Sequence, residues 1–173
     1  GYGRRQRSLA KDIIVAVDQS GSMADSVVYA SLFGSVLAQL PSLRTHLVAF
    51  DTAVTDLSGV MADPVDVLFG VQLGGGTDIA KALGYCQQLV SRPNDTVIVL
   101  ISDLFEGGNV DLMLARARRL TQSGVQMLCL LALSDDGAPV HDQAVAAQLV
   151  RLGVTVMACT PNRFPDVLAD ALE

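Results

Sequence analysis

No apolar run in this chain approaches the ~20 residues that a transmembrane helix requires, because Asp, Arg or Gly interrupts every candidate. A membrane-spanning helix is excluded on that ground. The opening Gly1-Tyr2-Gly3-Arg4-Arg5-Gln6-Arg7 has no apolar core, so it lacks the central segment of a secretory signal. Cysteine is scarce as well. Cys86, Cys129 and Cys159 are far apart and odd in number, without the paired spacing that zinc needs. Each lies in an apolar stretch, so three buried free thiols in a reducing, cytoplasmic compartment are expected. Basic residues are too few for nucleic acid: 12 Lys and Arg face 18 Asp and Glu, a net charge of −6. Backbone phosphates demand a basic face that this composition does not offer. Glutamate is nearly absent, with only Glu106 and Glu173 beside sixteen aspartates. There is no Gly-Lys-Ser/Thr of a phosphate loop and no Gly-x-Ser-x-Gly nucleophile elbow.

What is present is an aliphatic chain. Half of its 173 residues are hydrophobic, although aromatics reach only 5% and tryptophan is missing. The length fits one domain of roughly 100–200 residues, and a chain this long and apolar buries a core rather than staying disordered. Arg4, Arg5, Arg7 and Lys11 place four positive charges ahead of the first strand; removing them from the total of −6 leaves −10 for the rest. Residues 1–10 read as a solvated basic linker or the cut edge of a longer parent chain, and residues 11–173 as the domain.

Strand and helix patterns alternate along that domain. Ile13 to Val17 is a short β-branched run, suited to a strand buried on both faces. Met23 to Leu40 reads as a well-buried helix closed by Pro41. His46–Phe50 and Ala53–Leu57 are strands joined so tightly, at Asp51-Thr52, that they form a hairpin, which makes one strand antiparallel. Ile79 to Val90 is a helix, Thr96–Ile101 the strongest strand, and Val110–Gln122 a helix stopped by Gly124. Val125–Leu133 is a strand, Val140–Val150 a helix, Val154–Ala158 a strand and Phe164–Leu172 a terminal helix. The expected fold is α/β: a Rossmann-like, doubly wound, mostly parallel six-stranded sheet with one antiparallel edge strand and helices on both faces.

Ligands of such sheets sit beyond the carboxyl ends of the strands. Three loops there concentrate oxygen donors: Asp18-Gln19-Ser20-Gly21-Ser22-Met23, Gly74-Gly75-Gly76-Thr77-Asp78, and Ser102-Asp103-Leu104-Phe105-Glu106-Gly107-Gly108. Hydroxyls and carboxylates form a hard set suited to Mg²⁺, Mn²⁺ or Ca²⁺ and poor for zinc. Asp18, Ser20 and Ser22 alternate, so on an extended turn their side chains can converge on one ion, with Gly21 letting the backbone turn between them. Each loop alone has a plainer reading. Ser22 or Asp18 can cap the first helix, Thr77 or Asp78 the next, and Asp103 can end a strand in a turn. All three loops in this order, at the ends of the right strands, favour the metal site.

Asp-x-Ser-x-Ser at Asp18–Ser22, a distal Thr77, and Asp103 after the fourth strand resemble the metal-ion-dependent adhesion site of von Willebrand factor type A (VWA) domains. The likeness runs from about Lys11 to the end, and it is strongest to the bacterial intracellular branch that includes CoxE-like proteins and is often encoded with MoxR-type AAA+ ATPases. The resemblance implies hydroxyl ligands from Ser20, Ser22 and Thr77, with Asp18 and Asp103 bound directly or through water. One departure is Leu104, where the family usually has glycine.

An ion held mainly by neutral hydroxyls keeps part of its charge. A partner's Glu or Asp can then replace a water and complete the shell. The leading expectation is a non-catalytic protein-interaction module, using Mg²⁺ (or Mn²⁺ or Ca²⁺) to dock an acidic residue of a partner such as a MoxR-type AAA+ ATPase. The alternative is a Mg²⁺-dependent phosphohydrolase with Asp18 as nucleophile; it needs a second acid where Ser20 stands and lacks a general acid. A third reading, phosphate cradled by Leu73-Gly74-Gly75-Gly76-Thr77, lacks the flanking strand and glycine spacing of a dinucleotide fingerprint. Of the remaining polar residues, Asp51 reads as a hairpin turn and Asp78 as a helix cap. Glu106 reads as a solvated loop acid, His46 as structural, His141 as exposed, and Asp135-Asp136-Gly137 as a surface turn.

Overall fold

The computed structural model describes residues 11–21, 44–58, 75–132 and 141–159, with the single positions 163, 166 and 170. Strand β1 is Asp12–Asp18, β2 Arg44–Phe50, β3 Val54–Asp56, β4 Thr96–Ile101, β5 Gln126–Ala132 and β6 Thr155–Cys159. Among the described residues three α-helices stand between them: α1 Ile79–Leu89, α2 Val110–Gln122 and α3 Gln143–Arg151. The strands form one six-stranded sheet in the order β3-β2-β1-β4-β5-β6. Every neighbouring pair is parallel except β2 with β3, the antiparallel edge hairpin.

The central strands follow from their composition. β1 (DIIVAVD) and β4 (TVIVLI) are buried at every residue, as continuous apolar runs covered on both faces should be. β2 begins exposed at Arg44 and is buried over its last four residues. The hairpin closes at Asp51, whose Oδ1 accepts the Ala53 N–H at 2.8 Å, the local bond that favours aspartate in turns. At the far end of the sheet, Arg92 donates from Nη2 to Asp12 Oδ1 at 3.0 Å. The three helices are each capped by a side chain: Asp78 for α1, Asn109 for α2 and Asp142 for α3. Gly124, at φ +107°, ends α2, and a Cβ there would lie 2.1 Å from Asn94 Oδ1, so no other residue fits.

α1, α2 and α3 share one core with one face of the sheet. Ile14, Phe50, Ile98, Leu100 and Cys129 meet Ile79, Leu83, Met113, Leu120 and Leu149. On the opposite face, Ile13, Val15, Val97 and Val99 are fully buried as well. The helix expected at 23–40, the terminal helix at 164–172, the arm at 1–10 and the turn at 135–137 lie outside the described residues. Element bounds shift slightly from the sequence expectation. α3 begins at Gln143 rather than Val140, because Asp142 takes the capping position. β3 shortens to three residues, since Leu57 N–H and Ser58 Oγ turn back to bond Leu47 instead. Among the described residues no helix is long and apolar enough to cross a membrane.

β1 has β2 on one side and β4 on the other, so the chain leaves β1 in one direction and returns on the opposite flank. That reversal opens a crevice at the carboxyl ends of β1 and β4, the usual ligand position in such sheets.

Cys86 and Cys129 are free and fully buried. Burial, with Asp56 adding to it, pushes the Cys86 thiol up to about 12, and burial raises Cys129 too. Because the thiolate is the reactive form, both should resist a thiol reagent at pH 8 while the protein is folded and react in denaturant. Titrating the Cys159→Ser variant with a chromogenic disulfide checks this: two thiols should appear only on unfolding.

Candidate functional site

Asp18 ends β1 with 1% of its surface exposed, and the residues beside it are built around its carboxylate. Oδ1 accepts the Ser20 N–H at 2.9 Å, and Oδ2 accepts the Ser102 hydroxyl at 2.7 Å. The parallel register explains the second bond. Val17 pairs with Ile101, so the next residues, Asp18 and Ser102, lie side by side at the strand ends. Ser102 Oγ in turn accepts the Leu104 N–H at 3.0 Å. Gln19 N–H donates to Phe50 O at 2.7 Å, tying the first loop to the end of β2.

The second loop is drawn in by backbone bonds. Gly21 N–H donates to Gly75 O at 3.0 Å, and Asp78 N–H to Asp51 O at 2.8 Å. Gly75 is needed there: a Cβ would lie 2.8 Å from Asp51 Oδ2. Thr77, 7% exposed, sits between these anchors, directly before the Asp78 cap of α1.

The third loop clamps the second. Gly107 N–H donates to Thr77 O at 2.9 Å, an approach so close that a Cβ on Gly107 would itself stand 2.9 Å from that oxygen. Glu106 reaches across to the start of α1, where Oε1 accepts Ile79 N–H at 3.0 Å and Oε2 accepts Ala80 N–H at 2.8 Å. A carboxylate on these unsatisfied first-turn amides also meets the positive end of the helix dipole. Leu104 adopts φ +67°, the left-handed region where glycine is at ease, yet its side chain is fully buried. The family's usual glycine therefore has a conformational reason, and Leu104 keeps the same backbone by anchoring itself in the core. Asp103, partly exposed, accepts Phe105 N–H at 3.3 Å, and its carbonyl accepts Asp142 N–H at 3.0 Å.

Burial pushes the Asp18 carboxyl above its ordinary range; hydrogen bonds from Ser20 and Ser102 pull it down, and the charge of Asp103 pushes up again. Among the described residues no Lys or Arg forms an ion pair with Asp18. Among the described residues no three His, Cys, Asp or Glu come together as a metal group. The oxygen set at this edge is hydroxyl plus two carboxylates, which fits a hard divalent cation.

The structure thus gathers Asp18, Ser20, Thr77 and Asp103 on three mutually bonded loops at one edge, while Ser22 lies outside the described residues. Asp51 and Asp78 serve the turn and the cap expected of them. Glu106 is not the solvated acid the sequence suggests, because the amides of α1 claim it. Sequence reasoning also missed Ser102 as the partner of Asp18; the strand register, one residue past Ile101, is the signal that finds it. His141 is half-buried rather than exposed.

Sheet order, antiparallel edge and site placement together define a VWA domain. The family described as VWA domain containing CoxE-like protein matches residues 1–168, and the chain belongs to it. It is 44% identical over 169 residues to an uncharacterised protein of Escherichia coli strain K12, YehP, covering 98% of this chain and 45% of that protein. The chain therefore spans less than half of that relative's length. Among solved structures, an aerotolerance-related membrane protein from Bacteroides fragilis superposes with a TM-score of 0.69 at 15% identity, over 94% of this chain and 98% of that one. The SpRpn10 VWA domain superposes at 0.63 with 11% identity, over 88% and 89%. At such identities these two likenesses concern the fold. VWA domains are generally non-catalytic protein-interaction modules.

Two substitutions probe the third loop by urea denaturation. Glu106→Ala should cost about 1–2 kcal/mol, the scale of a lost helix cap, and Glu106→Gln less, since one carbonyl acceptor remains. Leu104→Gly should relieve about 1 kcal/mol of backbone strain but still destabilise, because emptying a buried leucine site costs about 2–5 kcal/mol.

Proposed function

We propose that this edge is a metal-dependent docking site for an acidic residue of a protein partner. Ser20, Ser22 and Thr77 would give hydroxyl ligands to Mg²⁺ (or Mn²⁺ or Ca²⁺), with Asp18 and Asp103 acting directly or through water. The ion would supply positive charge to which a partner's Glu or Asp adds the last ligand. The observation that carries this reading is Asp18: a carboxylate 1% exposed, with Asp103 nearby and no basic side chain paired to it among the described residues. Burying such a charge is costly unless a cation answers it. Both Asp18 oxygens already accept protein hydrogen bonds, which favours contact with an ion through water and leaves the ion under-neutralised.

The partner class we propose is an AAA+ ATPase of the MoxR type, in a cytoplasmic chaperone or assembly system. The phosphohydrolase alternative gains no support, since buried Ser20 occupies the place of its second acid.

Mg²⁺ at a hundred times its Kd should stabilise the folded chain by about 2.7 kcal/mol. Thr77→Ala and Asp18→Ala should remove that increment in calorimetry. A pull-down of the ATPase should need Mg²⁺ and fail with either variant; affinity unchanged in EDTA would sink the mechanism.

A further inference from the structure

Away from the metal edge, α1 and α2 lie side by side, and a groove of about 840 Å³ runs between them towards β3. Its lining includes three cations, Lys81, Arg116 and Arg119, and no carboxylate among the described residues. In a chain of net charge −6 that is a local reversal of sign.

Arg116 is built into the groove. Its Nη1 donates to Ala80 O across the helix pair, and Gly84 leaves the space it occupies, since a Cβ there would lie 2.8 Å from Nη1. Glycine inside a helix costs about 1 kcal/mol relative to alanine, so the seat has an energetic cost. Lys81 Nζ donates to Thr52 O at 3.3 Å. Both acceptors are neutral carbonyls, and among the described residues neither cation is ion-paired with a carboxylate. Tyr85, also in the lining, gives its hydroxyl to Asp56, which accepts the Ser58 N–H as well. Beside these cations Leu112 is 41% exposed, one of three large hydrophobics so placed among the described residues.

We propose that this groove is a second docking surface, independent of the metal edge, for an acidic segment of a protein partner that also carries an aliphatic side chain. Carboxylates would pair with Arg116 and Arg119, the former able to bond bidentately, while the aliphatic group covers Leu112. Charge complementarity selects this occupant. Three cations next to an exposed leucine suit a peptide better than nucleic acid, whose phosphates need a broader basic face.

The test titrates the isotope-labelled chain, in EDTA, with a fluorescent peptide alternating Glu and Leu. A peptide with Lys in place of Glu, and a single-stranded oligonucleotide, serve as controls. Saturable binding of the acidic peptide alone is expected, weakened by salt, with amide shifts confined to residues 79–89 and 110–122. Arg116→Glu with Arg119→Glu should weaken it by about tenfold or more. Arg119→Glu alone, at an exposed position, should weaken it with the melting temperature unchanged, which covers the event that the double variant folds poorly. No saturable binding, equal affinity in the reversed variants, shifts at the carboxyl edge of the sheet, or equal binding of either control would overturn the proposal. Because every arm contains EDTA, loss of the metal mechanism leaves this result untouched.

Discussion

A carboxylate buried at the end of a hydrophobic strand sets the terms for everything around it. Asp18 is carried inward by β1, whose Ile13–Val17 run has no choice but the centre of the sheet. Once there, it must be met by donors, because an unanswered buried charge costs several kcal/mol. The Ser20 amide answers from its own loop and the Ser102 hydroxyl from the neighbouring strand, 84 residues along the chain. That pair of bonds fixes the first loop against the third. Neither bond brings a positive charge, so the requirement is met in hydrogen bonds and left open in charge.

The second loop is positioned from outside rather than by its own propensities. Gly75 lets it pass against Asp51, Gly107 lets the third loop press on the Thr77 carbonyl, and Glu106 closes the first turn of α1. These contacts hold Thr77 more rigidly than a glycine-rich loop would hold itself, which is what a hydroxyl ligand requires if its oxygen is to stay in place. Leu104 contributes from beneath. A left-handed residue is strained unless packing over-determines it, and complete burial of that side chain does so. The loop that carries Asp103 thus turns directly after it, at a residue anchored in the core.

The fold was legible in the sequence where a single segment decides its own state. β4 and α2 have the expected bounds because a continuous aliphatic run and a capped, glycine-stopped amphipathic run each leave one solution. The hairpin edge followed from its two-residue connection. At the candidate site, Asp18, Ser20, Thr77 and Asp103 stood out because oxygen donors concentrate in three loops beyond the strand ends, in the order of the family's motif. Ser102 and Glu106 did not. Their roles are long-range hydrogen bonds, between β1 and β4 and between the third loop and α1, and no local pattern encodes which distant amide a side chain will meet. Leu104 was visible as a departure, but only its φ angle shows how the loop tolerates it.

Charge is what joins the two proposed surfaces. The body of the domain repels acidic partners, since its sixteen aspartates outnumber its basic residues. Against that field, two places would accept a carboxylate: the edge where an ion would answer Asp18, and the groove where Arg116 and Arg119 have no ion-paired acid among the described residues. They would do so by different physics. An ion's pull depends on its presence and on the hydroxyls that leave it under-neutralised, whereas the arginines pull at all metal concentrations but fade as salt screens them. A partner with one acidic side chain could satisfy either surface. One with two, spaced to reach from the strand ends to the flank of α1, would gain avidity from both, and the acidic remainder of the surface would turn away a partner whose carboxylates are placed otherwise. The aspartate excess would then serve selection as well as solubility, because attraction confined to two points discriminates only when the rest of the surface repels.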